Sequence, residues 1–324
     1  MKDLFDYCEF GDLKLNSRIV RTGLWESQRE KSGNLTPEIY NRYENIAASG
    51  AGLIISELYS LYPRDVFSKY SNTTHYSRFV REARDLTDLV HVYDVPIFAQ
   101  LGFVQFNKRT EQNIKIEDVT VEDIRKIQTD MIIASQKFNY GGFDGIQLGL
   151  GNYYFLSRFI NPNFNTRDDR YGGNTLNRLR IVLEMIKVIK NTTGLHINCR
   201  LNAFDGTTNG MTLDETIEIC KLLEKHGVDS LQITRPRSPQ FFTLENKETN
   251  PLVDAAEKII GSVDIPVILG GGSNSQSQIN RLLNSSSIDF ISMQRPFVHD
   301  PSFLVDWHME GNGVSGCRTC NNCY

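Results

Sequence analysis

Eight times along this chain a short apolar run rich in β-branched residues gives way to a stretch with helical spacing. SRIVRTGL (17–24) precedes TPEIYNRYENIAAS, where Thr36 stands at the helix cap and Pro37 at the first helical position. AGLIISEL (51–58) precedes SRFVREARDLTDLVHVY, and VPIFAQLG (95–102) precedes VEDIRKIQTDMIIASQKFNYG. FDGIQLGLG (143–151) precedes TLNRLRIVLEMIKVIKN, and HINCRLNA (196–203) precedes TLDETIEICKLLEKHG, with Gly227 at the helix end. DSLQITR (229–235), IPVILGGG (265–272) and DFISMQRP (289–296) each precede another helical segment. The runs read as apolar on both faces, as buried parallel strands do. Eight such units without internal sequence similarity predict the α/β class and a single closed (β/α)8 TIM barrel over 1–310, with 311–324 as a cysteine-containing tail. The competing architecture, an open doubly wound sheet, more often carries its Gly-rich turn after the first strand. Here the glycines cluster after the seventh.

Barrel chemistry sits at the C-terminal ends of the strands. The connections leaving those ends are long after strands two (59–76), three (103–120), four (150–174) and six (236–250), and the opposite connections are short. One face of the barrel is therefore the working face.

Composition narrows the function. The chain has 324 residues, 40% of them apolar, and a net charge of −4, which disfavours a nucleic-acid enzyme. The opening MKDLFDYCEFGD has no apolar run and no cleavage site, so no signal peptide is expected. No stretch approaches the ~18 apolar residues of a membrane span. Six cysteines, three of them at one end, do not form a disulfide framework. A reduced cytoplasmic protein is expected.

LGGGS (269–273) ends strand seven and QRP (294–296) ends strand eight. Loops at these two positions commonly hold a phosphate, because glycines let backbone N–H groups approach the oxygens. Arg295 adds a charged fork. Gln100 ends strand three and Arg200 lies in strand five, both polar in apolar runs. They form either a buried pair that satisfies backbone groups or a recognition set for a ring with donors and acceptors. A glutamine amide matches the pyrimidine edge of a flavin, and an arginine there stabilises the anionic reduced form.

NPNFNTRDDRYGGNTLNR (161–178) resembles the segment after strand four in the Old Yellow Enzyme family of FMN oxidoreductases, where a Pro, an Asn-x-Arg-x-Asp and a Tyr-Gly-Gly precede Asn-Arg. SRIVRTGLWES (17–27), GLIISE (52–57), AQLG (99–102) and PVILGGG (266–272) match family positions in the same order, so the resemblance covers essentially the whole chain. It implies FMN as cofactor. Thr22, Gly23, Leu24 and Trp25 would line the flavin, and Gln100 and Arg200 would hold its pyrimidine edge. Gly270, Gly271, Gly272, Gln294 and Arg295 would hold the phosphate. The implied reaction is ping-pong: NADH or NADPH gives hydride to FMN, which passes it to an electron-poor alkene of enoate, enone or enoyl thioester type.

The chain departs from the family at strand four. Many members carry His-x-x-His or His-x-x-Asn there, binding the substrate carbonyl; here the matching stretch is GLGNYY, with Gly149 at the first position and Asn152 at the second. One lost donor in an oxyanion site typically costs on the order of 3 kcal/mol of barrier. The 2,4-dienoyl-CoA reductase branch also lacks the first histidine. Tyr154 matches the family's proton donor, whereas without the resemblance Tyr153 and Tyr154 read as aromatic packing. Trp25 replaces a Thr or Cys that often tunes the flavin, either donating its indole N–H or walling the pocket. The loop FVQFNKRTEQNIKIEDVT is shorter than in many members, which suggests an open mouth for a bulkier or tethered substrate; Phe241 and Phe242 could close over it.

GCRTCNNCY, the last nine residues, places Cys317, Cys320 and Cys323 in C-x2-C-x2-C. This resembles the start of the four-iron cluster motif in the dienoyl-CoA reductase and trimethylamine dehydrogenase branches. The fourth cysteine and the following dinucleotide-binding domains are missing from the chain. A relic without metal is expected, with a labile site or a three-cysteine zinc site as the competing assignments. Cys199 and Cys220 are expected in buried apolar positions. The expected partner is a small-molecule or tethered acyl substrate, with no nucleic acid and no membrane, self-association into a homo-oligomer remaining open. The alternative to an ene-reductase-like enzyme is a flavin-binding protein of low turnover that serves a partner or senses redox state.

Overall fold

The chain begins with a hairpin that the sequence pattern did not announce. β1 (Cys8–Phe10) and β2 (Leu13–Leu15) pair antiparallel, with Phe10 opposite Leu13 and Gly11 turning at φ +64. The computed structural model describes residues 1–23, 35–62, 72–104, 115–152, 154–207, 209–235, 251–271, 274–318 and 320.

The parallel strands are β3 (Ile19–Arg21), β4 (Leu53–Ser60) with a two-residue neighbour β5 (Asn72–Thr73), β6 (Ile97–Gly102), β7 (Gly145–Leu150), β8 (His196–Asn202), β9 (Ser230–Thr234), β10 (Val267–Gly270) and β11 (Phe290–Met293). Each of the eight sequence runs contains one of them. β11 returns to β3, with Ile291 opposite Ile19, and β3 pairs with β4, with Val20 opposite Leu53. The ring is therefore closed, as a (β/α)8 barrel and not an open sheet.

The helices are α1 (Pro37–Ala48), α2 (Phe79–His91), α3 (Val121–Tyr140), α4 (Phe155–Ile160), α5 (Thr175–Thr192), α6 (Leu213–Lys225), α7 (Pro251–Ile260), α8 (Gln276–Ser285), α9 (Arg295–His299) and α10 (Phe303–Glu310). Their starts follow local chemistry. Thr36 and Pro37 open α1 at the expected positions, although the Thr36 side chain makes no capping bond to the helix. Thr120 and Asp123 form a capping box on α3, each side chain bonding the other's backbone N–H at 3.0 to 3.1 Å. Gly227, at φ +94, follows α6 where a helix stop was expected.

The two faces of the strands divide differently from the expectation. On β8 the outward residues Ile197, Cys199 and Leu201 join the main apolar cluster with the helices. The inward ones do not continue that pattern. Among the described residues an apolar cluster fills the bottom of the barrel: Phe10 and Leu15 of the hairpin plug it against Val20, Leu53, Ile55, Phe98, Ile268 and Phe290. Above this plug the interior holds Gln100, Gln147, Asn198, Ser230, Gln232 and Ser292, all buried. The strands are thus not apolar on both faces. Buried amides are tolerated because they bond to one another, which removes the cost of an unpaired polar group.

Cys199 and Cys220 are fully buried, as expected. Burial pushes the Cys220 thiol up to about 12 and the Cys199 thiol higher still, so neither is a nucleophile at neutral pH. Among the described residues no helix is long and apolar enough to cross a membrane.

Candidate active site

The C-terminal strand ends gather most of the residues singled out from the sequence. At the end of β3, Gly23 lies so close to β4 that a Cβ there would sit 1.9 Å from the Ser56 carbonyl oxygen and 3.2 Å from Gln100 Oε1. Only glycine fits, and the Gln100 amide oxygen faces it. Gln294, following β11, donates its side-chain N–H to the Gly23 carbonyl at 2.8 Å. Thr22 bonds Gln232 through its hydroxyl and is buried. Five strands, β3, β4, β6, β9 and β11, are thereby tied around one spot.

β10 ends in the same cradle. A Cβ at Gly270 would lie 2.2 Å from Thr234 Cγ2, and Gly271 adopts φ +89. Gly271 donates its own N–H to the Ser292 carbonyl at 3.2 Å, which extends the β10–β11 ladder. Arg295 begins α9 beside this turn. Sequence reasoning missed a second arginine, Arg235, one residue past β9. Burial and the adjacent Arg295 both push the Arg235 guanidinium below its usual range, as two cations brought together in a half-buried place must. The available signal was an arginine closing the sixth run next to the glycine turn.

Arg200 stands opposite Gly149 across β7–β8 and opposite Gln232 across β8–β9. After β7 the chain turns at Asn152, which takes a left-handed φ of +57 that asparagine tolerates. Tyr154 then opens α4. Its ring folds back onto β7: a Cβ at Gly149 would lie 2.7 Å from Tyr154 Cδ2, and one at Gly102 of β6 would lie 3.9 Å from the same atom. The phenol therefore occupies the space above Gly149, where a side chain would otherwise project.

The segment 161–178 is a scaffold for that loop. Asn165 donates to the carbonyls of Phe159 and Tyr171 at 2.6 and 2.9 Å. Arg178 reaches the Ile160 carbonyl at 2.8 Å and pairs with Glu215. Arg167 pairs with Asp169 and bonds the Ile116 and Val119 carbonyls. These bonds hold the C-terminal end of α4 and so fix the helix that Tyr154 begins.

Past α10 the chain runs along the loop that follows β10. Ser315 N–H donates to the Asn274 carbonyl at 2.8 Å, and Gln276 N–H to the Gly313 carbonyl at 3.0 Å. Cys317 and Cys320 are free thiols. Leu24, Trp25, Tyr153, Phe241, Phe242, Gly272 and Cys323 lie outside the described residues, as does the middle of the loop after β6.

The cradle fits FMN. Gly271 has open space at its Cβ position, so a ligand can approach its backbone closely, while Gly23 and Gly270 let β3 and β10 pack tightly against β4 and β9. Gln100 offers an amide oxygen at the mouth, and Arg235 and Arg295 bring two positive charges together at the ends of β9 and β11. Comparison with known proteins agrees. The model of the NADH:flavin oxidoreductase / NADH oxidase family matches residues 3–310. The NADH oxidase of Thermoanaerobacter brockii is 26% identical over 98% of this chain, which spans 53% of that protein, or about half its length. Among solved structures, a 2-naphthoyl-CoA reductase in complex with 2-naphthoyl-CoA superposes with a TM-score of 0.87 at 19% identity, over 98% of this chain and 54% of the other. An old yellow enzyme homologue from Zymomonas mobilis gives 0.78 at 21% identity, over 97% and 94%.

Proposed function

The chain belongs to the NADH:flavin oxidoreductase / NADH oxidase family, and we propose that it is an NAD(P)H-dependent FMN oxidoreductase that reduces an electron-poor conjugated double bond. The observation that carries this assignment is the placement of Tyr154 over Gly149 at the same barrel mouth as Gly23 and Gln100.

When FMN is held here, its chemistry would be the relay of hydride from the nicotinamide to the alkene. The residues of the chain do the rest. Gln100 and Arg200 hold and orient the pyrimidine edge, with the arginine opposing charge that builds up there on reduction. Gly270, Gly271, Arg295 and the additional Arg235 hold the phosphate, with Gly272 as a further contributor. Thr22 and Gly23 would line the ring, as the family resemblance also implies for Leu24 and Trp25, and Gln294 braces Gly23. Asn152 donates to the activating carbonyl, and Tyr154 places its phenolic proton on the carbon next to that group. A phenol is a weak acid that carries a transferable proton, which suits it to this role.

An acyl thioester is the favoured acceptor class. The 2-naphthoyl-CoA reductase, by its name, acts on a conjugated thioester, and this chain superposes on it over nearly its whole length. The free thiols Cys8, Cys199, Cys220, Cys317 and Cys320 support a reducing cytoplasmic setting. The test is anaerobic reduction of the FMN-loaded protein by NADH and by NADPH, then reoxidation by a panel of enones and enoyl thioesters. Hydride uptake followed by alkene-driven reoxidation is expected. A protein that takes up no FMN, or reduces it without passing hydride to any alkene, overturns the assignment; the second outcome leaves a flavin-binding protein of low turnover.

A further inference from the structure

The amides inside the barrel form one continuous hydrogen-bonded chain with a fixed direction. Gln100, Gln147, Asn198 and Ser230 stand side by side in register across β6, β7, β8 and β9. Gln100 Nε2 donates to Gln147 Oε1 at 2.7 Å. Gln147 Nε2 donates both its protons, to Asn198 Oδ1 at 2.8 Å and to Gln232 Oε1 at 2.7 Å. Gln232 Nε2 donates to Ser292 Oγ at 2.7 Å, and Ser292 donates to the Leu269 carbonyl at 3.2 Å. On the other branch Asn198 Nδ2 donates to Ser230 Oγ at 2.8 Å, and Ser230 meets His196 Nε2 at 2.8 Å. His196 Nδ1 meets the Asp12 carboxylate at 3.1 Å.

Both branches end on groups that only accept. A backbone carbonyl has no proton to give, and neither has an ionised carboxylate. Burial works against charge on Asp12, but its bonds to His196 and to the backbone hold its carboxyl below the ordinary range. Burial likewise pushes His196 down, so its ring is neutral at pH 7 and carries its proton on Nδ1, toward Asp12. Ser230 then donates to Nε2 and accepts from Asn198. Followed back along either branch, every amide has one orientation that satisfies all its neighbours. Turning one of them would set oxygen against oxygen or nitrogen against nitrogen in a dry interior. The last amide is Gln100, whose Nε2 is thereby committed toward Gln147 and whose Oε1 faces Gly23 at the mouth.

We propose that Gln147 is a positioning residue that fixes the orientation of the Gln100 amide, so that the cofactor site presents an acceptor to the imide N–H of a flavin pyrimidine ring. This rests on Gln100 holding that edge, as assigned above. Gln147 touches neither cofactor nor substrate. Its effect is on selectivity among flavins, which a general loosening of the fold would not alter.

The test compares apo-protein binding of FMN with that of 3-methyl-FMN, in which a methyl group replaces the imide proton. The readout is the ratio of the two Kd values, in the wild type, Gln100→Leu and Gln147→Met. In the wild type the methylated analogue should bind at least about tenfold more weakly, since a buried acceptor loses its donor. Gln100→Leu should bring the ratio to within about threefold of one. Gln147→Met should do the same, because Gln100 no longer has an acceptor to hold its nitrogen. A wild-type ratio retained in Gln147→Met overturns the positioning role. A ratio near one in the wild type, or unmoved in Gln100→Leu, overturns instead the assignment of Gln100. Should Gln147→Met fail to fold, Gln147→Leu removes the same acceptor with a branched side chain and is read by the same ratio.

Discussion

The ring of Tyr154 lies directly on Gly149: a Cβ on the glycine would come within 2.7 Å of ring carbon Cδ2. By the resemblance drawn from the sequence, Gly149 would stand where many family members carry a carbonyl-binding histidine. The glycine makes room for the phenol, and the phenol supplies polar hydrogen-bonding capacity above strand β7.

Gly149→Ala should displace the Tyr154 ring, because the contact falls on the ring body and not on a flexible tip. Overpacking of this kind typically costs about 1–3 kcal/mol. The expected result is a modest drop in Tm together with a marked slowing of alkene-driven reoxidation, while reduction by the nicotinamide is little changed. Thermal unfolding and stopped-flow absorbance on the same preparation check both parts. An unaltered alkene rate would separate Tyr154 from the chemistry.

The phosphate end is tested by Arg295→Ala and Arg235→Ala. A hydrogen bond to a charged group contributes about 1.5–3 kcal/mol, so each change should weaken FMN binding by roughly 10- to 100-fold. Riboflavin, which has no phosphate, should bind both variants as it binds the wild type. Fluorescence titration of the apo-protein with the two flavins gives the comparison. Equal losses for riboflavin and FMN would move the phosphate elsewhere.

His91, at the end of α2, meets the Asp144 carboxylate at 2.8 Å beneath the barrel, and the same oxygen accepts from the Ile97 N–H at 2.7 Å. The bond to Asp144 raises the His91 pKa above its ordinary 6.5. The folded protein therefore keeps a proton that the unfolded chain releases. This contribution to stability is complete below pH 6.5 and fades as the pH rises through the raised value. Urea unfolding of wild type and His91→Gln across pH 5.5–8.5 should show the largest difference at the acid end. A difference that grows with pH would contradict the direction of the shift.

The cysteines at the end of the chain are tested by metal content. Cys317, Cys320 and Cys323 offer three thiolates in C-x2-C-x2-C spacing, while a four-iron cluster takes four. After anaerobic purification this chain should hold no stoichiometric iron. Four irons per chain with broad visible absorption would show that a further ligand completes the site.

Much of this architecture was legible from spacing. The eight apolar runs mark the eight barrel strands because each must be buried on its helix-facing side, and the Thr36–Pro37 start of α1 and Gly227 act locally. The interior was not legible in the same way. Gln147, Asn198 and Gln232 are visible as polar residues within the runs, but their meaning depends on the register between strands distant in sequence. Arg235 was missed for a related reason: only folding brings the end of the sixth run beside Arg295. The segment 161–178, the most specific family signature, turns out to brace α4, because its arginines and asparagines bond backbone carbonyls.

The most direct test of the account is Tyr154→Phe, followed by stopped-flow in both half-reactions. Reduction of bound FMN by NADH or NADPH requires no proton from this residue and should proceed at nearly the wild-type rate. Reoxidation by an enoyl thioester or enone should slow by roughly 10²–10⁴, the range expected when a general acid is lost. Reoxidation by oxygen or a quinone, which protonates no carbon, should be retained. Wild-type rates with the alkene would contradict the proton-donor role, and a slowed reduction by the nicotinamide would place Tyr154 in hydride-donor binding instead.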